Sequence, residues 1–332
     1  MTQTDTISMI HGSGGSATGA LIRDIFADAF SNEILNQMED SAVVPGSARI
    51  AVTTDSFVVT PLIFRGGDIG RLAVCGTVND LLMRGAVPQY LTCGFILEEG
   101  LPAETLRVIV RSMAETAREA GVRIIAGDTK VTEGAGGCYI NTAGVGFVGE
   151  SVNISAACAE PGDAVIVSGT MGDHHAALLS ERMNIETEIA SDAAPLNEMV
   201  IRLLHAGIPV HTLRDVTRGG LATVLKELAQ AAGVTIRIRD EAVPVSSRVR
   251  DFAGLLGLDP LYMGNEGKLV AMVPESAAEE ALAVLRMSKY GADAAYIGRV
   301  TDEQPGELFS ETAIGGMRRL DVLQGEGLPR IC

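Results

Sequence analysis

The sequence contains no tryptophan and few aromatic residues, and it is poor in basic side chains. Its 332 residues include 26 lysines and arginines but 42 acidic residues, so the net charge is −16. Proteins that bind nucleic acid or an anionic membrane surface need clustered lysine and arginine side chains. The charge balance therefore argues against both classes of partner. It is compatible with a protein that concentrates carboxylates around metal-bound phosphates, although most acidic residues are ordinarily solvated surface.

Long apolar runs and paired cysteines are also missing. No apolar stretch reaches the roughly 18 residues that a membrane span requires, and the N-terminus lacks the basic-then-apolar pattern of a secretory signal. We therefore expect a cytoplasmic protein. None of the five cysteines forms a CxxC pair. Four lie in apolar or small-residue stretches and are predicted to be reduced, structural residues: Cys75, Cys93, Cys138 and Cys158.

The fifth cysteine, Cys332, is the last residue of the chain. Two glycines and Pro329 precede it and oppose regular structure, and an extended tail from Gly325 could reach roughly 25 Å. A thiol on such a tether could visit more than one active site. The alternative interpretation is a free cysteine in a frayed terminus. A prenylation signal is excluded, because that signal places further residues after the cysteine.

The chain is long for a single hydrophobic core, so two domains are the default expectation. A turn-rich segment at 159–163 separates two halves in which strands and helices interleave. Because the alternation lacks the even rhythm of a doubly wound sheet, we predict an α+β fold. Strands are predicted at 49–59, 87–97, 122–126, 139–148, 164–167, 235–238, 268–273 and 295–300. Helices are predicted at 18–38, from a cap at Asp68 to about Arg84, and at 103–120, 196–206, 218–232 and 276–287.

The glycine-rich segment at 11–16 permits two interpretations. Residues 12–17 match the loose dinucleotide-binding pattern GxGxx[GA]. However, the strand candidate before them is only a few residues long, and no acidic strand end follows at the required distance. A glycine-rich flap over phosphates fits better, since bare backbone N–H groups can approach anionic oxygens. A Walker A sequence does not occur.

Five acidic residues stand at strand ends, beside turn glycines or inside an apolar helix: Asp55, Asp80, Asp128, Asp215 and Glu266. Mg²⁺ prefers oxygen ligands and usually takes one or two carboxylates together with nucleotide phosphates. Acids brought together from distant segments could therefore hold two Mg²⁺ ions on a triphosphate. For any one of them alone, a helix cap or a surface position is the competing interpretation. Asp80 resists it best, because a carboxylate within an apolar helix needs a partner.

Two cationic positions accompany these acids. Lys130 follows Asp128 closely and could contact a phosphate, although a solvated lysine after a strand would look the same. Arg218 and Gly219 precede a predicted helix whose first amides could receive a phosphate. The pair His174 and His175 could bind a metal or act as a base, but no third ligand lies nearby, so a helix-start or polar-contact role is favoured.

Together these segments resemble a family of nucleotide-binding proteins that includes aminoimidazole ribonucleotide synthetase, selenophosphate synthetase and thiamine-monophosphate kinase. Among its members, the carbamoyl dehydratases of hydrogenase maturation match best. The resemblance rests on the order of seven motifs and the chain end: His11–Gly15, Thr54–Ser56, Thr77–Asp80, Gly127–Val131, Gly172–His174, Arg214–Leu221, Asn265–Lys268 and Pro329–Cys332. Two departures, His175 for an expected glycine and Gly264 for an expected alanine, remove no functional group.

The resemblance implies a two-domain fold of the aminoimidazole ribonucleotide synthetase type. Residues 1–40 would form a glycine-rich arm and helix, and 41–155 an ATP-binding and dimerisation domain. A C-terminal α+β domain would follow at 160–318, with a mobile tail at 319–332. The N-terminal domain would pair its sheet with a second copy, giving a homodimer with ATP near the interface.

The resemblance also implies a reaction. A partner carbamoyltransferase, HypF, would place a carbamoyl group on the Cys332 sulfur. This chain would then use ATP and Mg²⁺ to dehydrate the S-carboxamide to a thiocyanate. The cyano group would pass to iron carried by a HypC–HypD complex, as a cyanide ligand of the [NiFe] hydrogenase centre. Arg330 could offset the terminal carboxylate, which otherwise raises the pKa of the thiol.

Within that reaction the candidate residues receive roles. The metal ligands would be Asp55, Asp80, Asp128 and Asp215. Catalytic roles would fall to Cys332 as carrier, Lys130 on the transferring phosphoryl group and Glu266 as base, with His11 as second choice. The nucleotide contacts would be Gly12, Gly14, Gly15, Asn79, Thr129, Arg218 and Gly219.

Two alternatives remain open at the level of sequence. Another ATP-using enzyme of this fold is one, but a selenophosphate synthetase would carry a reactive cysteine or selenocysteine in the N-terminal loop, and a small-molecule kinase has no use for Cys332. The other is a non-catalytic nucleotide-binding scaffold whose tail docks partners. ATP consumption that depends on the carbamoylated thiol separates the enzyme from the scaffold.

Overall fold

The computed structural model describes residues 6–12, 16–37 and 41–324. The N-terminal arm contains a 3-10 turn, Met9–Gly12, and helices α1 (Ser16–Leu21) and α2 (Asp28–Phe30), which a π-helical segment, Ile22–Ala27, connects. The predicted helix at 18–38 therefore ends early, at Phe30. Asn32 explains this end: its side-chain oxygen accepts the N–H groups of Ile34 and Leu35, and its amide donates to the Phe30 carbonyl. This local bonding competes with helix continuation.

The N-terminal half is built on a four-stranded sheet. Its elements are β1 (Ile50–Phe57), a small hairpin of β2 (Ile63–Phe64) and β3 (Gly67–Asp68), α3 (Ile69–Leu82), β4 (Ala86–Glu98), α4 (Ala103–Glu119), β5 (Arg123–Thr132) and β6 (Cys138–Val148). The sheet order is β1-β6-β4-β5, so β1 and β5 form its opposite edges. Only the pair β4 and β5 is parallel.

Helix α3 lies on the inner face of this sheet and begins as predicted. The Asp68 carboxylate accepts the N–H groups of Gly70 and Arg71, which are among the unpaired donors of a first helical turn. Strand β5 is longer than predicted. Its parallel pairing with β4 continues to the pair Glu98 and Thr132, so the edge strand extends through 127–132, beyond the predicted end at Ala126.

The C-terminal half contains a seven-stranded sheet with helices. Its elements are β7 (Asp163–Val167), α5 (Asp173–Arg182), α6 (Asn197–His205), β8 (Thr212–Asp215), α7 (Gly220–Ala232), β9 (Thr235–Arg239), α8 (Ser247–Leu256), β10 (Leu269–Pro274), α9 (Ala278–Arg286), β11 (Ala295–Thr301), β12 (Leu308–Glu311) and β13 (Met317–Leu320). The strand order is β13-β12-β9-β11-β7-β10-β8. Segregated sheets of mixed pairing confirm the α+β prediction.

The two halves share one hydrophobic core. Leu72 and Met113 of the N-terminal half belong to the same buried cluster as Leu196 and Leu203 of α6 and its approach. Polar contacts join the same surfaces: the Arg71 guanidinium donates to the Ala193 carbonyl at 2.7 Å. The functional groups described below lie where these halves meet.

The structural prediction for the cysteines holds for three of the four. Cys75, Cys93 and Cys138 are buried, and burial raises the pKa of each thiol. Cys158 is partly exposed. Across residues 6–12, 16–37 and 41–324, no helix combines the length and the apolar character needed to cross a membrane.

Candidate functional site

A cleft of about 900 Å³ opens between β1 and α3 of the N-terminal half and the β8–α7 connection of the C-terminal half. We call it the interdomain cleft. Its lining brings together four of the five predicted acids, two from each half. The charged lining residues are Asp55, Asp80, Arg84, Arg182, Arg214, Asp215, Arg218 and Glu266.

The N-terminal wall of the cleft follows from strand alternation. Thr53 and Asp55 occupy alternate positions of β1 that face α3, because successive side chains of a strand point to opposite faces. The Thr53 hydroxyl donates to the Asp80 carboxylate at 2.9 Å. Burial raises the pKa of Asp80, and the nearby Asp55 carboxylate raises it further. Gly76 of α3 leaves the room this arrangement needs, since a Cβ there would lie 2.8 Å from the Phe57 ring.

The C-terminal wall carries Asp215, the last residue of β8. Burial raises the pKa of Asp215 to about 6, with a further contribution from the Asp80 carboxylate and an opposing one from Arg214. The sequence singled out Asp215 among acids at strand ends or beside turn glycines, but strand β8 itself was not predicted. A strand of four residues, of which the last two are charged, gives too little apolar pattern to be identified.

Glu266 stands at the back of the cleft and is buried. Burial raises its pKa well above the ordinary range, and the carboxylates of Asp192 and Asp215 add to the shift. Arg218 opposes it. A carboxyl group with a raised pKa is suited to proton transfer near neutral pH.

The acids of the cleft fit a magnesium ion bound together with phosphates. Among the residues that the structure describes, no three His, Cys, Asp or Glu side chains are grouped closely enough to hold a metal by themselves. Mg²⁺ rarely uses such all-protein cages and usually completes its shell with phosphate oxygens and water. Like-charge repulsion from Asp55 raises the pKa of Asp80, and repulsion from Asp80 and Asp55 raises that of Asp215. A bound cation would relieve this repulsion.

Two arginines of the cleft, Arg84 and Arg182, were not predicted. Arg84 follows α3 and Arg182 ends α5, and no motif surrounds either residue. Arg182 donates from Nε to the Thr60 carbonyl at the rim. Only tertiary folding brings these cations beside Arg214 and Arg218, where four guanidinium groups give the cleft the donors that polyphosphates require.

A second cavity, of about 370 Å³, lies along the opposite edge strand β5. We call it the edge cavity. It is lined by Gly12 and by Asp128, Thr129 and Lys130, together with apolar residues of the arm. Lys130 and Asp128 form an exposed ion pair at 2.8 Å, and the hydrogen bond from Lys130 lowers the pKa of Asp128. Asp128 and Lys130 are thus separated, within one chain, from the other predicted acids.

His11 also belongs to the β5 side and does not line the interdomain cleft. Its ring is buried and Nδ1 accepts the Ser8 N–H at 3.1 Å. Glu266, rather than His11, is therefore the candidate base that faces the cleft. Cys332, Gly14, Gly15 and Arg330 lie outside the residues that the structure describes.

Asn79 requires a correction. We expected a nucleotide contact, but its side chain is 2% exposed and does not line the cleft. Its amide donates to the carbonyls of Ala194 and Glu266, and its carbonyl accepts the Leu196 N–H. Because these backbone groups occupy the amide, Asn79 joins the two halves instead of reaching a ligand.

The two histidines after Gly172 lie in the first turn of α5 and are buried. His174 Nδ1 lies 2.7 Å from the Ser191 hydroxyl, and the ring packs edge-on against Phe64. These contacts fit the favoured helix-start and polar-contact interpretation. Gly219, at φ +80°, precedes α7 in a conformation that favours glycine, so Arg218 is turned toward the cleft at the start of the helix.

The outer face of the four-stranded sheet, opposite α3, exposes apolar side chains. Ile50 and Val52 of β1 are 56% and 66% exposed, and Ile96 of β4 is 50% exposed. Exposed Asp128 and Lys130 stand at the margin of this face on β5. An apolar sheet face bordered by charges is typical of a protein interface.

Comparisons with known proteins follow the same division into halves. The family described as AIR synthase related protein, N-terminal domain, matches residues 38–148, and its C-terminal domain matches residues 160–311. The protein named carbamoyl dehydratase HypE of Cupriavidus necator is 49% identical over 332 residues, covering 98% of this chain and 95% of that protein. The Escherichia coli protein of the same name is 46% identical over 339 residues, with coverage of 99% and 100%.

Solved structures give the same relationship. A structure of hydrogenase maturation protein HypE in complex with ATP superposes with a TM-score of 0.95 at 47% identity, covering 98% of this chain and 99% of that one. A chain from a HypE–HypF complex superposes with a TM-score of 0.80 at 48% identity, covering 92% and 100%. The thiamine monophosphate kinase of Aquifex aeolicus, at 20% identity and a TM-score of 0.64, shares the fold alone, over 92% of this chain and all of that one.

Proposed function

The chain belongs to the AIR synthase related family and, within it, to the HypE carbamoyl dehydratases, and from this premise we propose that it uses ATP to dehydrate a carbamoyl group on its own Cys332. The product is a thiocyanate, which supplies the cyanide ligand of a [NiFe] hydrogenase centre. The observation that carries the proposal is the interdomain cleft, where Asp55, Asp80, Asp215 and Glu266 converge with four arginines.

The cleft has the size and charge for a nucleoside triphosphate. Its volume of about 900 Å³ lies within the range of small-molecule sites. Arg214 and Arg218 supply donors for phosphate oxygens, while the first amides of α7 add a helix N-terminus. Asp55, Asp80 and Asp215 would hold Mg²⁺, which when bound neutralises charge on the phosphates.

A homodimer accounts for the separate position of Asp128 and Lys130. We assign the apolar outer face, with Ile50 and Val52, to contact with a second copy. Because β1 and β5 are opposite edges, a two-fold pairing of such faces can bring β5 of one subunit near β1 of the other. Asp128, Thr129, Lys130 and the glycine loop from Gly12 would then complete the neighbour's cleft.

The chemistry begins from the S-carbamoyl group, a thiocarbamate, on the Cys332 sulfur. Its carboxamide oxygen attacks the terminal phosphorus of ATP, the bond to ADP breaks, and one N–H proton leaves the amide. The C–O bond of the phosphorylated intermediate then breaks, phosphate departs, and loss of the second N–H proton leaves S–C≡N. Phosphorylation is needed because an amide oxygen is a poor leaving group on its own.

In this reaction some residues would stabilise negative charge and another would accept a proton. Lys130 and the arginines of the cleft would stabilise the transferring phosphoryl group. Glu266 would accept the amide proton, and its buried position and raised pKa suit a base that must hold the proton transiently.

We assign partners by the same family membership. A carbamoyltransferase, HypF, would load Cys332, and an iron-carrying HypC–HypD complex would accept the cyano group. The domain boundaries we propose remain 41–155 for the ATP-binding and dimerisation domain and 160–318 for the C-terminal domain, with the arm before and the tail after them. The reaction needs no membrane and no nucleic acid.

Intact-mass spectrometry after incubation with the carbamoyltransferase, carbamoyl phosphate and ATP tests the function. The wild-type chain should gain a carbamoyl adduct and then lose one water, with release of ADP and phosphate. Cys332→Ala should gain neither change, while Cys158→Ala, which alters a partly exposed cysteine, should behave as wild type. Equal adducts on wild type and Cys332→Ala, or none on either, would contradict the proposal. ATP consumption independent of the carbamoylated thiol would contradict it as well.

A further inference from the structure

Glu266 is held at both of its backbone polar groups by side chains from two other segments. Its N–H donates to the Asp192 carboxylate at 2.9 Å, and its carbonyl accepts the Asn79 amide at 3.3 Å. Asn79, from α3, belongs to the opposite half of the molecule. Asp192, from the α5–α6 connection, is close to Lys268, with 3.7 Å between the charged groups. Backbone groups of loops are more often bonded to other backbone groups or to water.

The Asn79 side chain is committed to this one junction. It spans three backbone groups of two C-terminal segments: the carbonyls of Ala194 and Glu266 and the Leu196 N–H, the last at 2.9 Å. Gly267 allows these segments to approach, because a Cβ there would overlap the Asp192 carbonyl. The contact thus fixes the Glu266 backbone against the helix that carries Asp80.

Asn79 immediately precedes Asp80, whose carboxylate points into the cleft. We infer that Asn79 is a positioning residue for the dehydration: it sets the distance between the phosphate-binding end of the cleft, at Asp80, and the proton-accepting end, at Glu266. The inference rests on the proposed function, since it takes Glu266 as the base. Asn79 itself touches no substrate, and its effect passes through Glu266.

A displacement of a catalytic group by about 1 Å can cost roughly 100-fold in rate. Asn79→Leu keeps the side-chain volume and removes all three hydrogen bonds. We expect it to slow the dehydration step by about 10- to 100-fold while leaving the KM for ATP unchanged, because Asn79 does not line the cleft. If Asn79 contributed only to stability, Asn79→Leu would lower the thermal midpoint but would not slow dehydration at an unchanged KM for ATP.

The matched control is Asn197→Leu. Asn197 is also a buried asparagine at the junction of the halves, and its amide donates to the Ala120 carbonyl at 2.7 Å, but it makes no hydrogen bond with Glu266. This variant should lose comparable stability and keep the wild-type dehydration rate. If it slows dehydration as much as Asn79→Leu, the junction as a whole matters and the specific role of Asn79 is overturned.

The decisive measurement is a double-variant cycle with Glu266→Gln. The S-carbamoyl chain is prepared without ATP, by brief treatment with cyanate, and loss of water after mixing with ATP and Mg²⁺ is followed by intact mass. If Asn79 acts through Glu266, the double variant is as slow as Glu266→Gln alone. If Asn79→Leu slows both backgrounds by the same factor, or slows neither, the positioning role is overturned.

The same cycle separates the assignment of Glu266 as base from the positioning role of Asn79. A wild-type rate in Glu266→Gln overturns the base assignment in the proposed function, and the positioning role with it. A slow Glu266→Gln with an additive double variant overturns the positioning role alone. Should Asn79→Leu not fold, Asn79→Asp enters the same cycle, because it keeps the acceptor for Leu196 N–H and removes the donor to Glu266.

Discussion

At the scale of single residues, the cleft depends on carboxylates whose surroundings make the ionised form unfavourable. Asp80 accepts one hydrogen bond, from Thr53, and lies near a second carboxylate, Asp55. Burial raises the pKa of Asp80, and repulsion from the Asp55 carboxylate adds to the shift. A group kept in such surroundings costs stability unless a cation or ligand is bound there, so its presence is explained by binding better than by folding.

Asp80→Asn tests that interpretation. The variant should still accept the carbamoyl group on Cys332, since that step belongs to the partner enzyme, and should lose the subsequent dehydration by about 100-fold. Intact mass separates the two steps in one experiment. Thr53→Val, which removes only the hydroxyl donor, should cause a smaller loss. Normal thiocyanate formation in Asp80→Asn would remove Asp80 from the metal-binding set.

A second residue-scale prediction concerns Gly219, which precedes α7 at φ +80°. Gly219→Ala places a methyl group 2.6 Å from the Thr223 hydroxyl in a strained conformation. We expect the free energy of unfolding to fall by about 1–3 kcal/mol, together with weaker ATP binding at the adjacent Arg218. Chemical denaturation and nucleotide titration measure the two effects.

The control for Gly219→Ala lies at the other end of the same helix. Gly233 ends α7 at φ +66°, and a Cβ there meets nothing within 4 Å. Gly233→Ala should therefore lower the free energy of unfolding only through its unfavourable backbone conformation, and it should leave ATP binding unchanged. Equal losses of ATP affinity in both variants would show that the effect on Gly219 is not local to the cleft.

At the scale of elements, the β5–β6 connection shows how one carboxylate organises a turn. Glu98 of β4 accepts the N–H groups of Ala135 and Gly137 and the Tyr139 hydroxyl. These hydrogen bonds lower the pKa of Glu98 below its ordinary value of 4.5. The connection joins edge strand β5, with Asp128 and Lys130, to the centre of the sheet.

The lowered pKa of Glu98 gives a pH prediction. In the unfolded chain the carboxyl group titrates near 4.5, whereas in the folded chain it stays ionised to lower pH. Its contribution to stability is therefore present above about pH 4.5 and is lost as the pH falls through the folded pKa. As the pH falls through the folded pKa of Glu98, the protection of the Ala135 and Gly137 amides against hydrogen exchange should decrease relative to the intrinsic exchange rate at each pH. Glu98→Gln should remove the pH dependence, and an unchanged profile in that variant would contradict the assignment.

The sequence predicted several elements that have a strong apolar pattern, and it missed helices α5 and α8 as well as some short strands. Helices α3 and α4 and strands β1, β4 and β6 appear within a few residues of their predicted bounds. Strand β8 and hairpin β12–β13 are four residues long each, too short for a periodic signal. Strand β5 exceeded its prediction because parallel pairing, which is tertiary, extends it through polar residues.

The candidate site shows the same limit. Asp55, Asp80, Asp215 and Glu266 could be selected from sequence because each stands beside turn residues or within an apolar segment. Arg84 and Arg182 could not, since nothing local distinguishes an arginine that a distant strand brings to a cleft. Asn79 was predicted to contact the nucleotide. Its motif is informative, but only the packing of the halves shows that its amide is already hydrogen-bonded to backbone groups.

At the scale of the whole molecule, the outer face of the N-terminal sheet determines the assembly we propose. Val52→Asp places a charge within the apolar part of that face, on edge strand β1, and should convert a dimer to a monomer, because a buried unpaired charge is strongly unfavourable. Light scattering measures the mass, and dehydration should be lost with the dimer. Ile314→Asp, at a 95% exposed position away from this face, is the control and should change neither property. A dimeric, active Val52→Asp would contradict the assembly.

The positions of Asp80 and Asp128 near opposite edges of one sheet have a consequence for complementation between variant subunits. If each cleft takes Asp80 from one subunit and Asp128 from the other, a mixed dimer of Asp80→Asn and Asp128→Asn chains has one cleft with both defects and one with none. Two inactive variants, denatured and refolded together, should then complement each other and regain activity in about one cleft in four. Two defects within a single-chain cleft could not be complemented in this way.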